Sequence, residues 1–211
     1  MPFGDYRVND PVYNSHGFLI HDYFFAKTLD KLRAGGVAAY ITTKGTMDKE
    51  STKVREFLFK KAELLGAIRL PNTAFKNAGT KVTADILFLQ KREREIENPE
   101  WTTITEDAQG FRINSYFVQH PEMILGTMQE ISGPYGMETT CVEKEGVPLG
   151  ERLRAAISHI TGHIPERVEE ERAEFRYEAE QPTDAPDASE VRMYSYVPVS
   201  YTHLRAHETC A

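Results

Sequence analysis

Cysteine is nearly absent from this chain: of 211 residues only Cys141 and Cys210 carry a thiol. Two thiols cannot build a disulfide framework, so a reducing cytosol is the default setting. Long apolar runs are absent as well; none approaches the roughly 20 residues that span a bilayer. The opening Met1-Pro2-Phe3-Gly4 lacks the charged-then-apolar pattern of a secretory leader. Nor is there an excess of positive charge. Against 25 Lys and Arg stand 32 Asp and Glu, a formal net charge of −7, which excludes a protein that coats nucleic acid by charge alone. An enzyme acting on DNA stays open, because a local basic groove can sit on an acidic molecule. No internal repeat is visible. With 40% apolar residues, the chain can form one domain with a proper core plus appendages. These absences describe a soluble, intracellular, globular protein with no membrane partner.

What is present is an alternation of helical and strand patterns over the first ninety or so residues. Residues 21–33 place Phe25, Leu29 and Leu32 at helical spacing, and Gly35-Gly36 is a stop signal. Residues 37–43 (VAAYITT) read as a short strand. Residues 51–65 read as a helix with Val54, Leu58 and Leu65 on one face. A short strand is expected over 67–70, closed by Pro71-Asn72. The nearly continuous apolar run 84–90 (ADILFLQ) predicts a strand buried on both faces. This rhythm is that of a doubly wound α/β sheet. Such a sheet normally opens with a strand and a glycine-rich turn, and neither precedes Met1. Residues 91–98 (KREREIEN) form a charged strand end or linker. A smaller mixed region follows to residue 163, with a helix near 149–160. Beyond Pro165 the chain turns acidic and then rich in Pro, Asp and Ala, which predicts a disordered linker.

The sharpest local feature is Pro2-Phe3-Gly4-Asp5-Tyr6. It resembles the end of the Asn-Pro-Pro-Phe signature of adenine-N6 DNA methyltransferases, with Met1 standing where the first proline would be and the Asn lacking. The downstream stretches fall in that family's order and spacing. They are His21-Asp22-Tyr23-Phe24-Phe25-Ala26-Lys27, Gly35-Gly36-Val37-Ala38, Leu65 to Phe75 (LGAIRLPNTAF) and Gly79 to Lys91 (GTKVTADILFLQK). The resemblance covers roughly residues 2–163 and is closest to the methyltransferase modules fused to Swi/Snf-type helicases on bacterial mobile elements and phages, whose downstream stretch is similar to Ser115 to Gly126.

The resemblance implies a partial Rossmann-like, S-adenosylmethionine-dependent methyltransferase sheet, its second half, with a small mixed appended region and a disordered C-terminal linker. It implies methyl transfer from S-adenosylmethionine to a flipped adenine in double-stranded DNA, and a helicase-like domain in the same full-length polypeptide. In that family, carbonyl oxygens of the Asn–Pro loop accept the hydrogens of the adenine amine, raising electron density on a nitrogen whose lone pair is drawn into the ring. Carried over residue by residue, Pro2 stiffens the loop and supplies a carbonyl acceptor, and Phe3 stacks on the extruded base. The cofactor loop and the acidic residue that holds the ribose lie upstream of the catalytic loop in the family. Gly35-Gly36 is no substitute, since it follows a helix instead of linking a strand to one. The expectation is that the isolated chain neither binds S-adenosylmethionine nor methylates DNA, and that its sheet has an unpaired edge. The divisions expected are residues 1–92 (catalytic half), 93–163 (appended region), 164–198 (linker) and 199–211 (tail).

Loops that follow sheet strands are where such folds bind ligands, which selects Lys44, Lys76, Asn77, Thr80 and Lys81 as candidate DNA contacts. Lys49 and Lys53 fit a solvated surface equally well, and Phe75 fits the core better than a groove. His159 and His163, four apart, could share a metal, but no third ligand is evident and no metal site is assigned. The segment from Val199 to Thr209, with His203 and His207, resembles a translated sequencing adapter and is left out of fold and function. Two other readings remain. One is a catalytically dead DNA-binding or scaffold module of a helicase-like mobile-element protein. The other is an unrelated α/β enzyme such as a nucleotide-dependent oxidoreductase, which would need a glycine-rich loop after a first strand.

Overall fold

In the computed structural model, the described residues are Gly4, residues 6–133 and 136–162, and two short strands at Tyr196–Val199 and His203–Ala206. The chain divides into a unit from Met1 to Pro165 and a second from Glu166 to Ala211. Pro2, Phe3 and His163 lie outside the described residues, as does the expected linker up to residue 195.

Helix α1 (Ile20–Lys31) buries Asp22, Phe25, Ala26 and Leu29, the spacing that puts one stripe against a core. Its ring Phe25 meets Tyr40 of strand β1 (Val37–Thr43) at 4.5 Å between centroids. After the short helix α2 (Gly45–Asp48), helix α3 (Lys53–Lys61) buries Val54, Arg55, Leu58 and Phe59. The helix predicted over 51–65 ends four residues early, because strand β2 (Ala62–Leu70) starts at once. Leu65 therefore sits in the strand. It falls at a register shift between Leu64 and Gly66, where β2 pairs with β3 (Ala84–Lys91).

The sheet has the order β1-β3-β2. Strand β3 runs antiparallel to both neighbours, so β1 and β2 are parallel to each other on either side of it. The connection through α2 and α3 is a crossover, and residues 71–83 return the chain between the two parallel strands. This is a mixed α/β arrangement built on a small antiparallel sheet. One face, with Tyr40, Leu87, Leu89 and Ala67, is buried. On the other, Val37 and Ile41 are 41% and 49% exposed. No strand among the described residues pairs with the outer edge of β1.

Residues 104–157 pack onto this sheet as two hairpins and two helices. Strands β4 (Ile104–Glu106) and β5 (Arg112–Asn114) pair, and helix α4 (Ser115–Gln119) follows, capped by the Asn114 side chain, which accepts from the Tyr116 N–H at 2.9 Å. The longer hairpin is β6 (Gly126–Gly133) with β7 (Gly136–Glu143), followed by α5 (Leu149–Ile157). Gly126 is required where β6 starts: a Cβ there would collide with the Val142 carbonyl and the Cys141 sulfur. Beside it, Leu125 N–H donates to the Arg69 carbonyl at 2.9 Å, so this segment covers the outer edge of β2. In the second unit, β8 (Tyr196–Val199) and β9 (His203–Ala206) form an antiparallel pair. Among the described residues no helix is long and apolar enough to cross a membrane.

Candidate nucleic-acid interface

Because β1 and β2 are parallel, the loops that leave their carboxyl ends emerge on the same side. Thr43, Lys44 and α2 come from β1; residues 71–83 come from β2 and lead into β3. The hairpin β6–β7 lies against both loops through a short polar network. Asn72 N–H donates to the Cys141 carbonyl at 2.7 Å, and Asn72 Nδ2 donates to Thr140 Oγ1 at 3.1 Å. Thr83 Oγ1 accepts from the Cys141 N–H at 2.9 Å and lies 3.0 Å from Thr140 Oγ1. Lys44 Nζ donates to the Thr139 carbonyl and to Thr139 Oγ1.

Under this network lies a charge cluster in which Arg69 and Asp85 are fully buried. Arg69 donates to Asp85 in bidentate fashion, Nε to Oδ1 and Nη2 to Oδ2, both at 2.9 Å. Its third nitrogen, Nη1, lies 2.8 Å from Asp48 Oδ2, and the guanidinium stacks 4.2 Å from the centre of the Phe117 ring. Burial opposes the charge on Arg69, but Asp85 and Asp48 outweigh it and hold its pKa above the ordinary value. Asp48 also accepts the Asn114 N–H at 3.1 Å through Oδ1. One guanidinium thus ties β2, β3, α2 and α4 together beneath the loops. A smaller ionic group lies at the start of α1, where the buried Asp22 meets Lys49 Nζ at 3.1 Å and His21 Nε2 at 3.3 Å.

Of the candidate DNA contacts, four fall on one exposed stretch. Lys76 and Asn77 open the short 3-10 helix Lys76–Ala78; Gly79 ends it at φ 73, a left-handed geometry that favours glycine; Thr80 and Lys81 follow. All four side chains are exposed. Lys44 is different. It is half-buried, and burial pushes its pKa down, partly offset by Asp48. Its ammonium is turned to the hairpin, so it positions β7 more directly than it faces a phosphate. Lys49 is engaged with Asp22, while Lys53 is exposed. Phe75 is half-buried against the core, as its sequence context suggests. It lines a shallow apolar cavity of about 260 Å³ with Ile41, Ala78, Val82 and Ala84. Among the described residues no group of three or more His, Cys, Asp or Glu is placed to hold a metal.

Sequence reasoning missed the Arg69–Asp85 pair and the structural role of Asn72. A signal for the first was present: an Arg in one apolar strand and an Asp in another need a shared partner, and their register makes them opposite each other.

Residues 19–111 match the family described as N-6 DNA methylase. That segment holds α1 and the whole β1-β3-β2 sheet. The chain is also similar to the "Defense against restriction protein B" of Escherichia phage P1, 35% identical over 75 residues. Those residues make up 35% of this chain and 3% of that protein, so the chain spans a small part of this relative's length. No solved structure matches the chain. What these findings give is a similarity of the sheet region to the N-6 DNA methylases.

Proposed function

We propose that this chain is part of an adenine-specific DNA methyltransferase that transfers a methyl group from S-adenosylmethionine to the N6 amine of an adenine flipped out of double-stranded DNA. The observation that carries the reading is the coincidence of the N-6 DNA methylase match with the sheet whose loops converge at one end. On this reading the sheet is the second half of a Rossmann-like domain, and the outer edge of β1 is where the first half joins. Pro2 and Phe3 belong to the catalytic loop, Pro2 holding its shape and Phe3 stacking on the extruded base. Lys76, Asn77, Thr80 and Lys81 meet DNA phosphates, positioning the duplex without reading its sequence. A helicase-like domain lies in the same polypeptide, and the protein works in the cytoplasm of a bacterium or phage-infected cell.

The described residues do not fit the cofactor. Gly36 follows a helix, and a Cβ there would press on the Arg33 carbonyl at 2.9 Å, so its glycine serves the chain's own turn. Gly45 is the first residue of α2, but α2 is a four-residue helix with no glycine-rich approach. S-adenosylmethionine would therefore be held by other parts of a longer polypeptide.

The test has two parts. The chain alone, titrated with S-adenosylmethionine in a calorimeter, is expected to give no heat of binding; a micromolar isotherm would overturn that expectation. A longer polypeptide that includes the residues before Pro2 is expected to produce N6-methyladenine in host DNA, detected by mass spectrometry of digested nucleosides. It is expected to lose at least 100-fold in rate on Phe3→Ala, on the order of what stacking and placement of a flipped base supply. Absence of N6-methyladenine with that polypeptide folded would sink the enzymatic reading.

A further inference from the structure

The hairpin β6–β7 is buried only at its root. Met128, Thr140 and Cys141 are buried, whereas residues 129–132 and 136–138 are exposed and Thr139 is half-buried. Among the described residues Lys44 is the only side chain of the body that hydrogen-bonds to this outer part, through the Thr139 carbonyl and Thr139 Oγ1. Lys44 follows the carboxyl end of β1, and with Lys81 it lines a cleft of about 390 Å³ whose lining on the hairpin includes Glu138 and Thr139. Burial lowers the Lys44 pKa, and Glu138 is among the carboxylates that offset this, so its charge reaches the ammonium. A carbonyl oxygen, a hydroxyl and a carboxylate together offer a lysine the acceptors and the negative charge that a phosphate would. Glu130, on the same hairpin, is exposed and lies outside that lining.

We propose that the outer part of β6–β7 is an autoinhibitory strap: Thr139 holds Lys44 and Glu138 faces the two cleft lysines, and DNA gains Lys44 as a phosphate contact only by displacing the strap. The DNA-methyltransferase reading supplies the ligand. Closure is weak by construction. An exposed carboxylate near a lysine contributes little in water, and no other hydrogen bond or ion pair among the described residues ties this part of the hairpin to the body. The buried root keeps the hairpin attached while its outer part moves. A duplex already engaged by Lys76 and Lys81 presents its next phosphate at high local concentration and so competes for Lys44. A lone anion lacks that advantage, so the strap selects for extended polyanions.

The experiment measures binding of the full chain to a short fluorescein-labelled duplex by anisotropy over a series of salt concentrations. The opened variant combines Glu138→Gln with Thr139→Ala. It is expected to bind about fivefold more tightly than the parent, with a salt slope steeper by about 1 as Lys44 takes up a phosphate. Lys44→Ala in the opened variant is expected to undo both changes. In the parent the same substitution also removes the strap's hold, so the affinity is expected to fall by no more than about twofold. That non-additivity is the signature of the strap. Glu130→Gln removes an equal charge from the hairpin outside the cleft and is expected to change neither affinity nor slope. Should the opened variant fail to fold, Glu138→Gln alone, at an exposed position, carries the same comparison with a gain of about twofold. Equal loss on Lys44→Ala in parent and opened variant overturns the strap and leaves the DNA contacts standing. A gain from Glu130→Gln as large as that from Glu138→Gln does the same, since charge alone would then explain it. No duplex binding by any variant overturns the strap together with the DNA contacts of the loops.

Discussion

The sheet with its helices, Ile20–Lys91, and the appended region, Ile104–Ile157, share one apolar core but differ in how far polar contacts fix them in place. Inside the first, the contacts that matter are apolar: Phe25, Leu29, Leu58, Leu87 and Leu89 are fully or almost fully buried, and strand pairing is set by alternation. Appended residues Ile113, Phe117, Met123 and Leu125 join that same buried core, and a set of polar anchors is added to the apolar contact. Arg55 Nε donates to the Thr102 carbonyl at 2.8 Å, Asn114 Nδ2 to the Met47 and Trp101 carbonyls, the Asn114 N–H to Asp48, and Asn72 and Thr83 grip Thr140 and Cys141. Apolar packing makes a region tolerant and self-assembling. Polar anchoring makes its attachment specific and sensitive to single atoms, since each buried donor or acceptor left alone costs about 1–3 kcal/mol. The N-6 DNA methylase match stops at residue 111, just before β5, so the anchoring residues on the appended side lie mostly beyond it.

That contrast can be broken at graded strengths. Asp85→Ala leaves Arg69 buried with one carboxylate fewer and is expected to cost about 3–5 kcal/mol, read as a lowered urea midpoint. A loss below 1 kcal/mol would show that the pair does not hold β2 to β3. Thr140→Val keeps the shape of the hairpin but strands Asn72 Nδ2, and a loss of about 2 kcal/mol is expected. Faster amide exchange should be confined to β6–β7; uniform loosening of the sheet as well would contradict separate anchoring. Asp30 tests the sheet side, where it accepts from Tyr13 Oη at 2.5 Å and from Lys61 Nζ at 2.9 Å. Burial raises its pKa, but these partners outweigh it and leave the net value lowered. A lowered carboxylate pKa adds stability above its unfolded value near 3.8, and that contribution fades as pH falls through the folded value. Asp30→Asn is therefore expected to lose about 1 kcal/mol near neutral pH and to match the parent in strong acid. A pH-independent difference would refute the linkage. The smallest effect on folding belongs to Lys81→Ala on the exposed loop: within about 0.5 kcal/mol in stability, with the salt slope of duplex binding reduced by about 1. An unchanged slope removes Lys81 from the interface.

Much of the sheet was legible in sequence. Strand 37–43 falls where its β-rich run places it, and α1 and β3 come within two residues of their patterns. Apolar periodicity reports burial, and burial is what those elements share. The strand β2 was read too short, because the helical spacing of Val54, Leu58 and Leu65 continued past the point where pairing with β3 took over. The antiparallel position of β3 was not legible from rhythm alone, which suits a parallel sheet equally well. At the candidate site, the exposed loop 76–81 was readable from its composition and its place after a strand. Lys44 was readable as a loop residue but not as an anchor, since its partner Thr139 lies 95 residues away. Asn72 carried no local signal: Pro-Asn reads as a turn, and its partners Thr140 and Cys141 lie in a hairpin that no short-range pattern announces.

The flank of β1 that no strand among the described residues pairs has a consequence for handling the protein. An edge that no strand among the described residues pairs, beside a face on which Val37 and Ile41 are exposed, is a template for another strand of the same kind. In concentrated solution the chain on its own is expected to gather edge to edge. Ile41→Lys, a gatekeeper on that face, should raise the soluble yield measured by light scattering without moving the melting temperature.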